Sequence, residues 1–406
     1  MRILWLKTEL LHPVDKGGRI RTYQTLRALK ERHHVTYLAL DDGTAAADAR
    51  ELATEYCHEL VTVPFSQPAK RSVAFYVDLA IGLFSPLPYA IAKYRSSAMR
   101  QAIADAVRTR NIELVICDFL SPSANVPEGL GVPLVLFQHN VEAAIWERHT
   151  KVAGNPVLRA YMALQWRRMR RFERRECHRY DHVIAVSDAD AETMRARYGA
   201  PRVSAVPTGV DVDFFRPTGD ARRQDANSIV FTGSMDWMPN EDGVEWFADE
   251  IFPLIRSRHP AATFAIVGRH PTPRVKALER HAGITVTGSV PDVRPYLERA
   301  AAVVVPLRIG GGTRLKIYEA MAMERAVVST TIGAEGLPLD DGIDLVRADD
   351  AADFAAAVAN LLEDREAAAR IGAAAARRVR KDFSWARAGE AFSETCEAVA
   401  HRRYLP

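Results

Sequence analysis

The sequence predicts an α/β protein made of two Rossmann-like domains, each with a parallel sheet. Three observations carry this. Short, continuous apolar runs alternate with helical patterns along the chain, as they do when parallel strands are buried on both faces. The alternation breaks once, near residues 201–227, and then restarts. Each half also places a glycine turn between a buried strand and a helix: Gly17-Gly18 after the first strand, and Gly310-Gly311-Gly312 after the apolar run Ala301–Leu307.

Taken in order, the first half reads as strands at Arg2–Lys7, His34–Leu40, Leu60–Val63, Leu114–Asp118, Pro133–Gln138 and His182–Val186. Helical patterns lie between them, for example Gly17–Arg32 and Ser96–Arg110. The apolar stretch Val73–Tyr94 reads as a core helix, or alternatively as the lip of an acceptor cleft. Its most apolar window, Val73–Ala92, holds Asp78, Pro86 and Pro88 and would span a membrane badly. Pro207, Gly209, Pro217, Gly219 and the polar run 220–227 then read as a linker. Strands resume at Ser228–Thr232, Ala262–Val267, Ile284–Thr287, Ala301–Pro306, Ala326–Thr330 and Asp344–Val346. Asp349–Asp382 reads as one Ala- and Arg-rich helix, followed by a last helical stretch from Ser384. The expected divisions are a domain over 1–200, a linker over 201–227, a domain over 228–383 and a terminal helix over 384–406. Ligands are expected at the interface of two such domains.

The 406 residues are 48% hydrophobic and 26% charged, the balance of an ordinary globular protein with length for two cores. A net charge of +3 gives no case for nucleic-acid binding. Cys57, Cys117, Cys177 and Cys396 are scattered without metal-ligand spacing and read as reduced thiols of a cytoplasmic protein. The apolar run at the N-terminus is too short for a signal peptide and fits a strand.

The richest segment is RIGGGTRLKIYEAMA, from Arg308 to Ala322. Gly311 and Gly312 let backbone N–H groups approach a ligand, and Thr313 is a good N-cap ahead of strong helix formers. A helix N-terminus after a glycine turn is an anion site. Arg314 and Lys316 stand in the first turn, where the macrodipole disfavours cations, so an anionic ligand explains them better than helix stability does. Glu319 lies about one and a half turns further on, within reach of a sugar hydroxyl if the helix points at the ligand. Phosphate grip plus hydroxyl acceptor make a nucleotide site. The bland alternative is a tight turn with a solvated Arg and Lys.

The segment VIAVSDADAETMRARYGAPRVSAVPTGVDVDFFRP, from Val183 to Pro217, resembles the interdomain region of family-4 glycosyltransferases. VFTGSMDWMPNEDGVEWF, IVGRHP, GSVPDVRPYL and the GGGTRLKIYEAMA run follow in that family's order. The resemblance implies the GT-B architecture: two facing Rossmann-like domains, with a C-terminal helix crossing back to the first. It also implies retaining transfer of a sugar from a UDP- or GDP-linked donor to an acceptor hydroxyl, without a metal or other cofactor. Within the family, the chain is most similar to transferases of bacterial exopolysaccharide synthesis, with glycan or lipid-linked acceptors. By the same resemblance Gly17, Gly18, Gly233, Ser234, Gly311, Gly312 and Thr313 approach the donor, Glu319 holds the ribose, and Arg314 and Lys316 take the charge of the leaving diphosphate. His139, in FQHNVE, occupies the place of the active-site histidine. Its alternative reading is a loop residue capping the next helix with Asn140 and Glu142.

Two departures accompany the resemblance. Gly311 stands where the family's first motif glutamate falls, and the stretch after Gly233-Ser234 lacks the family's Arg and Lys. Arg314 and Lys316 are expected to take over that neutralisation. Asp188-x-Asp190 and Asp211-x-Asp213 read as structural rather than metal-binding, Ser187 and Asp188 being helix-capping residues. Arg159–Arg179 reads as a basic helix with an apolar stripe, suited to an anionic membrane surface or to packing with a solvated arginine face. Two rival functions remain: a nucleotide-sugar epimerase, for which the first half shows no acid–base pair, and a non-catalytic nucleotide-sugar binder.

Overall fold

The computed structural model describes residues 1–15, 17–69, 72–152, 155–218, 224–309 and 315–402. The chain divides into two compact units, Met1–Thr208 with Ala388–Pro406, and Gly209–Arg387.

Among the described residues the first unit holds seven strands: β1 (Arg2–Lys7), β2 (His34–Asp41), β3 (Glu59–Pro64), β4 (Leu114–Asp118), β5 (Leu134–Phe137), β6 (His182–Ala185) and β7 (Val203–Ala205). Every pair is parallel, in the order β3-β2-β1-β4-β5-β6-β7. The pleat sends alternate side chains into two separate cores. Ile3 and Trp5 join Val35, Tyr37 and Ala39 on one face, while Leu4 and Leu6 join Leu38, Leu40 and Val115 on the other. The final helix, Trp385–Arg402, completes the first of these cores. Its Phe392 ring lies 5.8 Å from Trp5 and 4.9 Å from Phe137, and Ser393 Oγ is 2.7 Å from His33 Nε2.

The second unit holds β8 (Ser228–Thr232), β9 (Thr263–Val267), β10 (Ile284–Gly288), β11 (Ala302–Val305), β12 (Val327–Ser329) and β13 (Val346–Arg347), all parallel, in the order β10-β9-β8-β11-β12-β13. Strand order reverses between β1 and β4 in one sheet and between β8 and β11 in the other. Open parallel sheets bind ligands at such switch points, beyond the carboxyl ends of the strands.

Three sequence expectations change. The segment read as a linker over 201–227 contains β7, which pairs with β6. This strand is three residues long and only half buried, so it carries no apolar run to betray it. The single helix expected over 349–382 is two, Ala351–Glu363 and Arg365–Asp382, because Asp364 caps the second by accepting the Ala367 N–H at 2.8 Å. The core helix expected within Val73–Tyr94 is instead a helix at Val73–Gly82 with no buried residue.

Candidate functional site

At the first switch point, strands that are otherwise apolar end in charge. Lys7 closes β1 and Asp118 closes β4, and their side chains are 3% and 0% exposed. Lys7 Nζ donates to Asp118 Oδ2 at 2.7 Å and to Thr22 Oγ1 at 2.8 Å. Thr22 and the Trp5 indole N–H also donate to Oδ2, at 2.6 and 3.1 Å. Asp118 Oδ1 stands 2.8 Å from His139 Nε2. Burial would raise the Asp118 carboxyl, but Lys7 and His139 outweigh it and hold it well below the usual carboxylate range. Burial pushes His139 down to about 3 against the pull of Asp118, so the imidazole is neutral at physiological pH. Its ring stacks on Phe119 at 3.8 Å, and its Nδ1 has no hydrogen-bond partner among the described residues. Phe119 also fills the space above Gly18, where a Cβ would meet the ring at 3.1 Å. The structure thus brings His139 and Gly18 together around one phenyl ring. Gly17 opens the Gly17–Lys30 helix and is exposed.

His139 does not cap the helix that follows. Glu173 does, its carboxylate accepting the Glu142 and Ala143 N–H groups at 2.8 and 2.9 Å. A carboxylate there complements the helix N-terminus, and Tyr198 Oη donates to it at 2.8 Å. On the same side of the sheet, beyond β1 and β2, a cavity of about 140 Å³ is lined by Glu9, Arg19, Asp41, Asp42 and Thr44, among others. Its polar walls suit hydroxyl groups.

At the second switch point the chain leaves β8 through Gly233 and Ser234. Lys316, in the first turn of the Leu315–Ala322 helix, sends its ammonium back to this turn. Nζ donates to Asn240 Oδ1 at 2.8 Å and lies 3.9 Å from the centroid of Phe231. Asn240 is fixed in turn, its Nδ2 donating to Ser234 O at 2.8 Å. The turn needs glycine: a Cβ on Gly233 would stand 2.7 Å from Lys316 Nζ, and one on Gly268 would stand 1.6 Å from Gly233 O. From the end of β9, Arg269 Nε donates to Ser234 Oγ at 3.1 Å, and Ser234 donates to Asp236. Half-buried Glu319 follows on the Leu315–Ala322 helix; burial lifts its carboxyl to about 7 while Lys316 pulls it down.

The structure therefore gathers Gly233, Ser234 and Lys316. Gly311, Gly312, Thr313 and Arg314 lie outside the described residues. Sequence reasoning missed Lys7, Asp118, Asn240 and Arg269. The first two had a legible signal, a charge closing an apolar strand at its carboxyl end. Asn240 is 3% exposed at the start of the Met238–Trp246 helix, and nothing local in the sequence marks it as buried. The two acidic pairs are structural. Ser187 caps its helix by accepting the Asp190 N–H at 3.1 Å, and Asp211 accepts the Asp213 and Phe214 N–H groups at 3.2 and 2.9 Å. Among the described residues, no group of three or more His, Cys, Asp or Glu is placed to hold a metal ion.

Comparison with known proteins agrees with this architecture. The profile described as Glycosyltransferase Family 4 matches residues 16–214, and that described as Glycosyl transferases group 1 matches residues 226–364. D-inositol 3-phosphate glycosyltransferase 2 of Catenulispora acidiphila is 30% identical over 55% of this chain and 58% of its own length. Phosphatidyl-myo-inositol mannosyltransferase of Mycolicibacterium smegmatis is 31% identical over 50% and 53%. The chain thus spans little more than half the length of these relatives. In fold, the crystal structure of Anabaena HepE in complex with UDP-glucose superposes with a TM-score of 0.67 at 14% identity, covering 98% of this chain and all of that one. Two parallel Rossmann-like units of this kind are the GT-B fold, and with the two profiles running in order over most of its length, the chain belongs to glycosyltransferase family 4.

Proposed function

We propose that this protein is a retaining glycosyltransferase that moves a hexosyl unit from a nucleotide-sugar to a hydroxyl of a glycan or lipid-linked acceptor in bacterial polysaccharide synthesis. The observation that carries the reading is the Lys316 ammonium, held by Asn240 over the Gly233 turn at the sheet's switch point. A cation fixed beside a glycine turn can face the diphosphate of the donor. In the reaction the bond between the anomeric carbon and the diphosphate oxygen breaks and a bond to the acceptor oxygen forms. The acceptor's proton passes to the released nucleoside diphosphate. Lys316, with Arg314, would neutralise the charge that develops on that leaving group, so no metal is required. Backbone groups of Gly311, Gly312 and Thr313 would replace the contact of the missing glutamate. Glu319 would accept from the ribose hydroxyls, and neutral His139 would hydrogen-bond the sugar. UDP is favoured over GDP by the UDP-glucose bound in HepE. Retention, and the place in polysaccharide synthesis, rest on the family resemblance. A basic surface over Arg159–Arg179 would bring a lipid-linked acceptor on an anionic membrane within reach.

The test is a thermal-shift panel of UDP, GDP, ADP and their sugar conjugates, followed by an assay of diphosphate release with candidate acceptors. One nucleotide series should raise the melting temperature by mass action, and the shift should shrink in Lys316→Ala. Binding without release under any acceptor would leave a non-catalytic binder. Interconversion of the donor without acceptor would make the protein an epimerase.

A further inference from the structure

The Val73–Gly82 helix is inside out. Its half-buried positions, Phe75, Asp78, Leu79 and Gly82, recur at helical spacing and form the side turned to the protein. Asp78, the one charged residue of the helix, is among them and hydrogen-bonds Tyr89. The opposite side is apolar and open. Val73 is 81% exposed, Tyr76 60%, Val77 51% and Ile81 65%, and the stripe runs on into Leu83 and Phe84, the latter 91% exposed. Single exposed apolar residues are ordinary, but a continuous stripe of this length marks a binding surface.

The helix braced against the end of the stripe is basic. Arg168 of the Pro156–Arg179 helix donates to Gly82 O at 2.8 Å and to Leu83 O, tying the two helices together. At about 100° per residue, Arg171 lies about 60° round that helix from Arg168 and Arg167 about 100°. Arg167, Arg171 and Arg174 have no ion pair or hydrogen bond among the described residues. With Arg170 and Arg197 they line a hollow of about 740 Å³ in which, among the described residues, Glu147 is the only carboxylate. The acidic residues of the helix do not offset them, since Glu173 and Glu176 are fully buried. Val157 and Leu158, 78% and 45% exposed, add apolar surface at the start of the helix.

We infer that Val73–Phe84 is an interfacial anchor that buries its apolar stripe in the headgroup–acyl boundary of an anionic bilayer, with the arginine-lined hollow taking lipid phosphates. Charge selects this occupant: an apolar stripe beside uncompensated guanidinium groups matches a surface that is apolar within and anionic at its rim. Length agrees, because a ten-residue helix is roughly 15 Å long, half the hydrocarbon thickness, and can lie in the interface but not cross it. The inference rests on the reading of Arg159–Arg179 as facing an anionic surface and is independent of the proposed reaction.

The experiment is co-sedimentation of the full chain with phosphatidylglycerol–phosphatidylcholine vesicles and with pure phosphatidylcholine vesicles, at low and high salt. Binding should require the anionic lipid and weaken as salt rises. Replacing both Ile81→Asp and Phe84→Asp should cut binding at least about tenfold. Arg171→Glu with Arg174→Glu should abolish the preference for anionic lipid. In Phe84→Trp, indole emission should shift to the blue on adding anionic vesicles. An unchanged melting temperature and nucleotide shift would show that the variants remain folded. If the aspartate pair binds like wild type, the anchor is wrong although the arginine surface stands. If the glutamate pair binds like wild type, the anionic-surface reading fails and the anchor with it. A dimer in vesicle-free solution that Ile81→Asp dissolves would assign the stripe to a second copy and overturn the proposal.

Discussion

The two switch points solve the same topological problem with opposite chemistry. Around Asp118 every charge is spent inside the protein: an ammonium, a hydroxyl and an indole all converge on one carboxylate oxygen. Around Lys316 the charge is only half enclosed: the ammonium meets the Asn240 amide and the Phe231 ring face, and its charge reaches Glu319. The first arrangement fixes where strand ends lie and sets His139 and Phe119 in place. The second holds a half-buried cation beside a glycine turn. Proximity to a switch point therefore does not by itself mark a binding group. What distinguishes the two is burial, complete for Lys7 and Asp118 and partial for Lys316.

The comparison breaks most sharply at Asp118. Asp118→Asn would leave Lys7 charged and buried without its partner, and should cost about 3–5 kcal/mol in a urea titration. A variant as stable as wild type would mean that the cluster is not the brace described. Lys316→Ala should behave in the opposite way, losing less than about 1 kcal/mol of stability. Its diphosphate release should fall on the order of a hundredfold or more. Equal losses of stability in both variants would erase the distinction between the two sites. Gly233→Ala should be milder. A new methyl would press on the Lys316 ammonium and on the buried Asn240 amide, 2.7 and 2.8 Å away, so donor affinity should fall by about tenfold, measured by calorimetry.

The smallest effect is in pH, and the two regions carry opposite signs. His139 is held at about 3, below its unfolded value near 6.5, so the unfolded chain takes up the proton first as pH falls. Its stability contribution is whole above pH 6.5 and is lost on acidification toward 3. Glu319 is raised to about 7 from 4.5, so the unfolded chain loses its proton first, and stability falls as pH rises between those values. The carboxylate formed above pH 7 is the better acceptor for ribose hydroxyls. UDP affinity should then improve a few-fold from pH 6 to pH 8, and Glu319→Gln should flatten that profile. A profile unchanged in the glutamine variant would remove Glu319 from the nucleotide site.

Much of the fold was legible because buried parallel strands announce themselves. β1, β4 and β8 match their apolar runs residue for residue. β7 was hidden because a short edge strand needs no apolar run. The Val73–Gly82 helix was misplaced because its composition describes a core and cannot say which side of the helix meets protein. At the site, Lys316 was legible from a local conflict between its charge and the helix dipole. Asn240 was not, since its partner lies 76 residues away and only the fold brings them together. Long-range polar pairs of this kind leave no local pattern in a sequence.

The final helix carries one more consequence. Phe392, Cys396 and Val399 belong to the core of the first unit, yet the whole second unit precedes them in the chain. During synthesis the first sheet must wait for these residues. At ordinary elongation rates the delay after Thr208 is on the order of ten to forty seconds. Through that interval Trp5 and Phe137 lack the ring that later covers them, and a nascent apolar face of this kind is one that chaperones recognise.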